Sequence, residues 1–198
     1  MMTSWLRVKP RQIGIHRSFK MAKHTLAVLV DNSSGVLARV ASLFARRAYN
    51  IDSLAVGPTE DESISRMTIV VNVEGHALEQ VIRQLDKLIN VIHVSEIKPA
   101  KSTQEELVLV KVKQNPRIES ILSKFGAKIV DNTEEALIIE ATNTPALNEE
   151  LLDSLKQFGV IEFVQSGVVA LAHGKAALAD QTLDIQSVST DRQADYQN

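Results

Sequence analysis

Cysteine is absent from the 198 residues. That excludes disulfides, thiolate metal sites and a cysteine nucleophile, and it suits a reducing compartment. Aromatic side chains make up only 4%, too few for the stacking platforms of single-stranded nucleic-acid binders. The formal net charge is −2, so no basic surplus calls for a nucleic acid or a membrane surface. No apolar run approaches the roughly 20 residues that a membrane-spanning helix needs. Acidic residues are missing before Asp31, where Arg7, Lys9, Arg11, Arg17, Lys20 and Lys23 make a basic leader. That composition matches an organellar transit segment. Met21, however, lies just before the first regular strand, which favours an upstream extension with Met21 as the true start. On either reading residues 1–23 are expected to be disordered. The expected location is cytoplasmic, or an organelle if the leader is a transit signal.

The usual marks of catalysis are missing too. His16, His24, His76, His93 and His173 show no metal-ligand spacing. There is no phosphate loop with its lysine, no G-x-G-x-x-G and no nucleophile elbow. Ser33, Ser34 and Ser166 have no histidine close by in the sequence. The acidic runs Glu60-Asp61-Glu62 and Glu134-Glu135 could pair carboxylates, but solvated hairpin tips are the simpler reading. We therefore expect no catalytic residue, no cofactor-binding residue and no metal ligand in this chain.

What is present is regular. Apolar residues are 44% and charged residues 23%, a globular balance, in a length that suits one domain or two small ones. Thr25 to Val30 is a continuous, β-branched-rich run and predicts a buried strand. Val36, Leu37, Val40, Leu43 and Phe44 recur at helical spacing over Val36 to Arg47, with Ser33 or Ser34 as candidate caps. A strand follows through Val56, then a loop at Gly57-Pro58 and the acidic run. Alternation over Arg66 to Val73 predicts the next strand. Leu78, Val81, Ile82, Leu85 and Leu88 stripe a second helix after Gly75, and Val91 to Ile97 is a fourth strand. The order β-α-β-β-α-β predicts a ferredoxin-like unit, a four-stranded antiparallel sheet with both helices on one face.

The same order then repeats at a period of about 80 residues. Lys101 to Gln104 reads as a polar linker and Leu107 to Val112 as a strand. Pro116 can start a helix carrying Ile118, Ile121, Leu122 and Phe125, ended by Gly126. Ala127 to Val130 and Ala136 to Ala141 read as strands around Asp131-Asn132. Pro145 opens a helix that stops at Gly159. Val160 to Val164 and Val168 to Leu171 complete the unit. The expected fold class is α+β, with two tandem ferredoxin-like domains over residues 24–99 and 105–174. Residues 175–198 read as a mobile polar tail, with at most a short helical turn at Lys175 to Ala179.

One stretch could bind something. After the first strand, Asp31-Asn32-Ser33-Ser34-Gly35-Val36-Leu37 runs through a glycine turn into a helix N-terminus, where backbone N–H groups lack helical partners and the dipole favours an anion. Asn32 and Asn50 each offer an amide oxygen and an NH2 group. Val36, Leu37 and Ile51 could line an apolar slot, so a free amino acid would find donors, an acceptor and a pocket. Equally, Gly35 could be only a turn residue and the asparagines only turn caps. The residues alone leave both readings open.

The stretches Asp31-Asn32-Ser33-Ser34-Gly35-Val36-Leu37-Ala38-Arg39-Val40, Leu43-Phe44-Ala45-Arg46-Arg47-Ala48-Tyr49-Asn50-Ile51-Asp52-Ser53-Leu54 and Ser65-Arg66-Met67-Thr68-Ile69 closely resemble the small regulatory subunits of acetolactate synthase. Gln84 to Ile89, Leu109 to Val112 and Ser166 to Leu171 are similar to the same family. The resemblance covers about residues 24 to 174. It implies an ACT domain followed by an ACT-like domain, a homodimer through the ACT domains, and a large catalytic subunit as partner. Carried over residue by residue, the effector contacts would be Asn32, Gly35, the backbone of Val36 and Leu37, and Asn50 with Ile51, the two groups coming from opposite subunits. The effector would be a branched-chain amino acid, usually valine, acting as feedback inhibitor while the subunit activates its partner. Thiamine diphosphate, FAD and magnesium would sit on that partner, none on this chain. A free-standing ACT sensor regulating some other protein is the alternative. A nucleic-acid module of the same strand order is disfavoured, because Leu26 to Val30 and Arg66 to Val73 carry no aromatics.

Two departures from the family pattern stand out. Ala48 occupies a position where glycine is common, and a positive φ there would cost about 1 kcal/mol. Lys113 to Pro116 is shorter than in the family, and His173 replaces a common arginine; both bear on how the second domain meets the partner.

Overall fold

The computed structural model describes residues 22–175 and Leu178. Most of the expected leader and tail, including three of the five residues of the turn expected at Lys175 to Ala179, lies outside those residues. The first unit runs β1 (Ala22–Asp31), α1 (Val36–Ala45), β2 (Ile51–Pro58), β3 (Ile64–Val73), α2 (Gly75–Leu85) and β4 (Val91–Ile97). Its sheet has the order β2-β3-β1-β4, and every neighbouring pair is antiparallel. Residues alternate across a strand, so Leu26, Val28 and Val30 point one way with Met67, Ile69 and Val71. They meet Val40, Leu43 and Phe44 of α1 and Leu78, Val81 and Leu85 of α2 in one core.

The second unit repeats the plan with β5 (Ser102–Lys113), α3 (Ile118–Phe125), β6 (Lys128–Asn132), β7 (Ala136–Asn143), α4 (Pro145–Leu155) and β8 (Val160–Gln165), in sheet order β6-β7-β5-β8. Val108, Val110 and Val112 pack with Leu137, Ile139, Ile118, Leu122, Leu151 and Leu155 in a core of its own. The expected α+β class with two tandem ferredoxin-like units is thus what the chain adopts.

The junction between the units departs from expectation. Lys101 to Gln104 is not a linker: a short 3-10 turn at Pro99–Lys101 leads straight into β5, whose first four residues already pair. Their partner is β9 (Val169–Ala172), which lies off the path of the second sheet. Ser102 to Glu105 bonds to β9, while Glu106 to Lys113 bonds to β7 and the stretch Val108 to Val112 to β8. This ribbon brings Ala170 onto Ala27 and Ile97, on the sheet face that the helices leave uncovered, and Leu178 packs against the same cluster. β1 is therefore buried on both faces from Thr25 to Val30, which is why that run reads as continuous rather than alternating.

Smaller corrections have local causes. β1 begins at Ala22, so Ala22 and Lys23 belong to the sheet and not to the leader. Gly57 and Pro58 lie in β2, opposite Arg66 and Ser65, and only Thr59 to Ser63 makes the loop. Proline is tolerated there because β2 is an edge strand. Neither Ser33 nor Ser34 caps α1; Gly35 does, without a side-chain hydrogen bond. Pro116 precedes α3 instead of opening it, whereas Pro145 does begin α4 and the Thr144 hydroxyl accepts from the Leu147 N–H. No helix among the described residues is long and apolar enough to cross a membrane.

Candidate effector site

The turn after β1 is fixed from below by the β2–β3 hairpin. The Asn32 N–H donates to the Ser63 carbonyl at 2.7 Å, and Asn32 Nδ2 donates to the Glu62 carbonyl at 2.8 Å. The Ser33 N–H turns back onto the Asp31 carbonyl at 2.9 Å. The side of the turn is braced as well: Asn90 Nδ2 donates to Asp31 Oδ2 at 3.0 Å, and the Arg39 guanidinium donates to Asn90 Oδ1. Arg39 and Asn90 were not among the residues singled out from the sequence. Their link spans 51 residues, and no local period signals it.

Gly35 enters the helix with φ of 85°, and a Cβ placed on it would meet nothing within 4 Å. Glycine is therefore required by its backbone angle, not by crowding, and the space above the turn is open. Arg39 is the first residue to donate to the Gly35 carbonyl, at 3.1 Å. Among the described residues the N–H groups of Gly35, Leu37 and Ala38 have no protein acceptor, and the Val36 N–H reaches Ser33 only at 3.5 Å. Unpaired donors at the positive end of a helix form an anion cradle. The side chain of Val36 is buried in the core, so it offers only its backbone, while Leu37 is exposed above the turn.

Asn50 and Ile51 lie elsewhere. α1 ends in a hydrogen-bonding pattern in which Tyr49 N–H donates to the Phe44 carbonyl and Ala48 N–H to the Ala45 carbonyl, each at 3.1 Å. That is the Schellman arrangement, whose penultimate position takes the left-handed conformation. Ala48 occupies it at φ 56°, and it is the one non-glycine residue with positive φ among those described. Tyr49 then packs against the core beside Phe44. Asn50 is exposed, its Nδ2 donating to Asp52 Oδ1 at 3.2 Å, and Ile51 is half-buried. The NH2 groups of Asn32 and Asn50 are thus both engaged within the chain, and their amide oxygens carry no assigned donor among the described residues.

Strand register gives the separation. Ile51 stands opposite Val71, and Val71 opposite His24, near the start of β1. The cradle lies past Asp31 at the other end. The two groups are therefore roughly 20 Å apart along the strands, at about 3.3 Å per residue. A free amino acid cannot touch both groups within one chain.

Other candidates for chemistry stay structural. Asp61 bonds the hydroxyl and the N–H of Ser63, which hold its carboxyl below the ordinary range. The acidic hairpin tip is thus a self-bonded turn. Among the described residues no group of three or more histidines and carboxylates could hold a metal ion.

Two βαββαβ units in tandem, the first with an open glycine turn heading its first helix, define an ACT-type regulatory module. Residues 26–93 match the AHAS small subunit-like ACT domain, and residues 105–174 match the small subunit of acetolactate synthase. The chain belongs to the acetolactate synthase small subunits. It is 51% identical over 155 residues to the acetolactate synthase small subunit of Mycolicibacterium smegmatis, covering 76% of this chain and 91% of that one. It is 46% identical over 156 residues to a probable acetolactate synthase small subunit of Archaeoglobus fulgidus, covering 77% of this chain and 98% of that one. Among solved structures, the small subunit of Thermotoga maritima superposes with a TM-score of 0.72 at 34% identity, over 78% of this chain and 99% of that one. The protein is accordingly a regulatory subunit.

Proposed function

We propose that this subunit activates its catalytic partner and confers feedback inhibition by a branched-chain amino acid, with valine as the leading candidate. The supporting observation is the division of the site: Asn32 and Gly35 sit at one end of the first sheet, Asn50 and Ile51 at the other. Two ACT domains set side by side in a homodimer bring the cradle of one chain to Asn50 of the other. The ligand carboxylate takes the free N–H groups of Gly35, Leu37 and Ala38. The amide oxygen of Asn50 accepts from its ammonium, and Leu37 and Ile51 cover the aliphatic side chain. Inhibition then works by population shift: ligand favours one arrangement of the dimer only to the extent that it binds that arrangement better.

In this reading the chain itself is non-catalytic and works in the cytoplasm. Thiamine diphosphate, FAD and magnesium belong to the large subunit. The described residues of this chain offer no dinucleotide loop and no metal-ligand cluster that would fit them. Calorimetric titration of the purified chain with valine, leucine and isoleucine tests the sensor role. Saturable heat from at least one of them is expected, and its absence at about 5 mM, some fivefold above a millimolar Kd, would refute it for the isolated subunit.

A further inference from the structure

The face of the first sheet turned away from the helices carries a second concavity. It lies between that sheet and β9 and encloses about 780 Å³, a volume suited to a small organic ligand. Leu29, Ile64 and Ile97 give it an apolar floor, and Leu171 and His173 of β9 contribute to the opposite side. Arg66 stands in it, opposite Leu29 in the β1–β3 register.

Arg66 is unusual for its setting. The side chain is half-buried, and among the described residues its one hydrogen bond goes to the Ala170 carbonyl at 2.7 Å. Among the described residues no carboxylate lies within ion-pairing distance of it. Burial pushes the guanidinium below its ordinary affinity for a proton, with the charge of Glu60, which lines the same cavity, partly offsetting that. It stays charged all the same, because arginine does not deprotonate in proteins. A partly desolvated guanidinium with a single neutral partner has donors to spare, and its geometry suits the two oxygens of a carboxylate.

We propose that this cavity binds a small aliphatic carboxylate, its anionic end on Arg66 and its apolar body on Leu29, Ile64 and Ile97. The ligand needs no ammonium group, and the site shares no residue with the cradle at Gly35. One wall belongs to the ACT sheet and the other to a strand that follows the second unit. Occupancy therefore clamps β9 against β3 and strengthens the seam between the two units.

The test uses the full chain with labelled leucine and isoleucine methyl groups, titrated with 3-methylbutanoate. Saturable shifts are expected at Leu29, Ile64, Ile97 and Leu171, with a Kd of about 1 mM. The uncharged 3-methylbutanamide should bind at least about tenfold more weakly, because it cannot pair with the guanidinium. Arg66→Gln should lose the binding, and Gly35→Asp should keep it. Shifts confined to Leu37 and Ile51, loss of binding in Gly35→Asp, or no shifts at all would overturn the proposal. Inorganic phosphate binding as tightly as 3-methylbutanoate would overturn the ligand class. Should Arg66→Gln fail to fold, the wild-type methyl map and the amide comparison decide between the same outcomes.

Discussion

The main-chain N–H of Val168 donates to Ser53 Oγ at 2.8 Å, joining residues 115 positions apart across the seam between the two units. The close approach depends on Gly167, whose φ is +82° and whose missing Cβ would lie 3.0 Å from the Leu54 carbonyl oxygen and 3.1 Å from Ser53 Oγ. With the bond from Arg66 to Ala170, it anchors the returning strand on the uncovered face of the first sheet.

Gly167→Ala should therefore destabilise the seam. The left-handed angle alone costs an alanine about 1 kcal/mol or more, and the backbone oxygen of Leu54 cannot yield as a flexible side chain would. A total loss of about 2 kcal/mol is expected, read as a lowered denaturation midpoint. Faster amide exchange in β9 should accompany it, with exchange in the second core unchanged. Ser53→Ala should have a smaller effect, about 1 kcal/mol, from one lost hydrogen bond.

Ala48→Gly should do the opposite. The alanine holds the left-handed position of the Schellman turn at φ 56°, where glycine avoids about 1–2 kcal/mol of strain. Glycine gives back about 0.4–1 kcal/mol through the greater freedom of the unfolded chain. The net expectation is a gain of about 0.5–1 kcal/mol in thermal or denaturant unfolding. Ala48→Val should lose stability, since a β-branched side chain tolerates positive φ still less.

The fold was legible in the sequence wherever burial is one-sided or local. The alternation in β3 and the stripes on α1 and α2 each report a single core, so the two βαββαβ units could be read from period alone. The doubly buried β1 was legible as a continuous run. Ser102 to Glu105 was not: its residues are polar, and they pair because β9 returns to them from some 65 residues away, a relation no local period encodes. The cap of α1 was missed for a related reason, since two serines next to a helix start suggest side-chain capping, yet Gly35 makes the turn by its backbone angle. Of the candidate site, the turn and both asparagines could be named in advance, and a positive φ at Ala48 was raised only by the family resemblance, in which glycine is common at that position. Arg39, Asn90 and Arg66 could not: a charge at an outward position of the alternating β3 run reads as an ordinary solvent-facing residue, and only the return of β9 covers Arg66.

Acid should weaken the start of the first sheet through Glu96. Burial disfavours its charged form, yet hydrogen bonds from Lys98 and His24, with their charges, outweigh this and hold its carboxyl below the ordinary 4.5. A carboxyl whose folded pKa is depressed adds stability above the unfolded value, and that stability is lost as pH falls through the folded one. Wild type should thus lose up to about 1 kcal/mol more than Glu96→Gln as the pH is lowered from 6 to below about 4. Parallel unfolding curves for the two proteins across that window would show Glu96 to be inert.

Gly35→Asp and Asn32→Ala should each abolish inhibition by valine while leaving activation of the catalytic subunit largely intact. The aspartate sets a carboxylate among the N–H groups meant for the ligand and also strains a backbone at φ 85°. Asn32→Ala removes the bond that ties the turn to the Glu62 carbonyl. Gly35→Ala serves as control, since open space surrounds its Cβ: it carries the strain of about 1 kcal/mol without the charge, so its loss of sensitivity should be partial. Activity of the reconstituted complex against valine concentration separates these cases, and unchanged inhibition in Gly35→Asp would remove the cradle from the site.

The division of the site can be tested more sharply by mixing chains. In a dimer with two shared sites, each site takes its cradle from one chain and Asn50 from the other. A Gly35→Asp homodimer then has two dead cradles, and an Asn50→Ala homodimer two cradles without their acceptor. In the mixed dimer both lesions fall on the same site, which leaves the other with an intact Gly35 and an intact Asn50. Half of the sites should therefore recover, seen as valine binding at one site per dimer in calorimetry of purified heterodimers. If each chain built its own site, the mixed dimer would bind no valine at all. The roughly 20 Å between the two groups within a single chain is the reason to expect recovery.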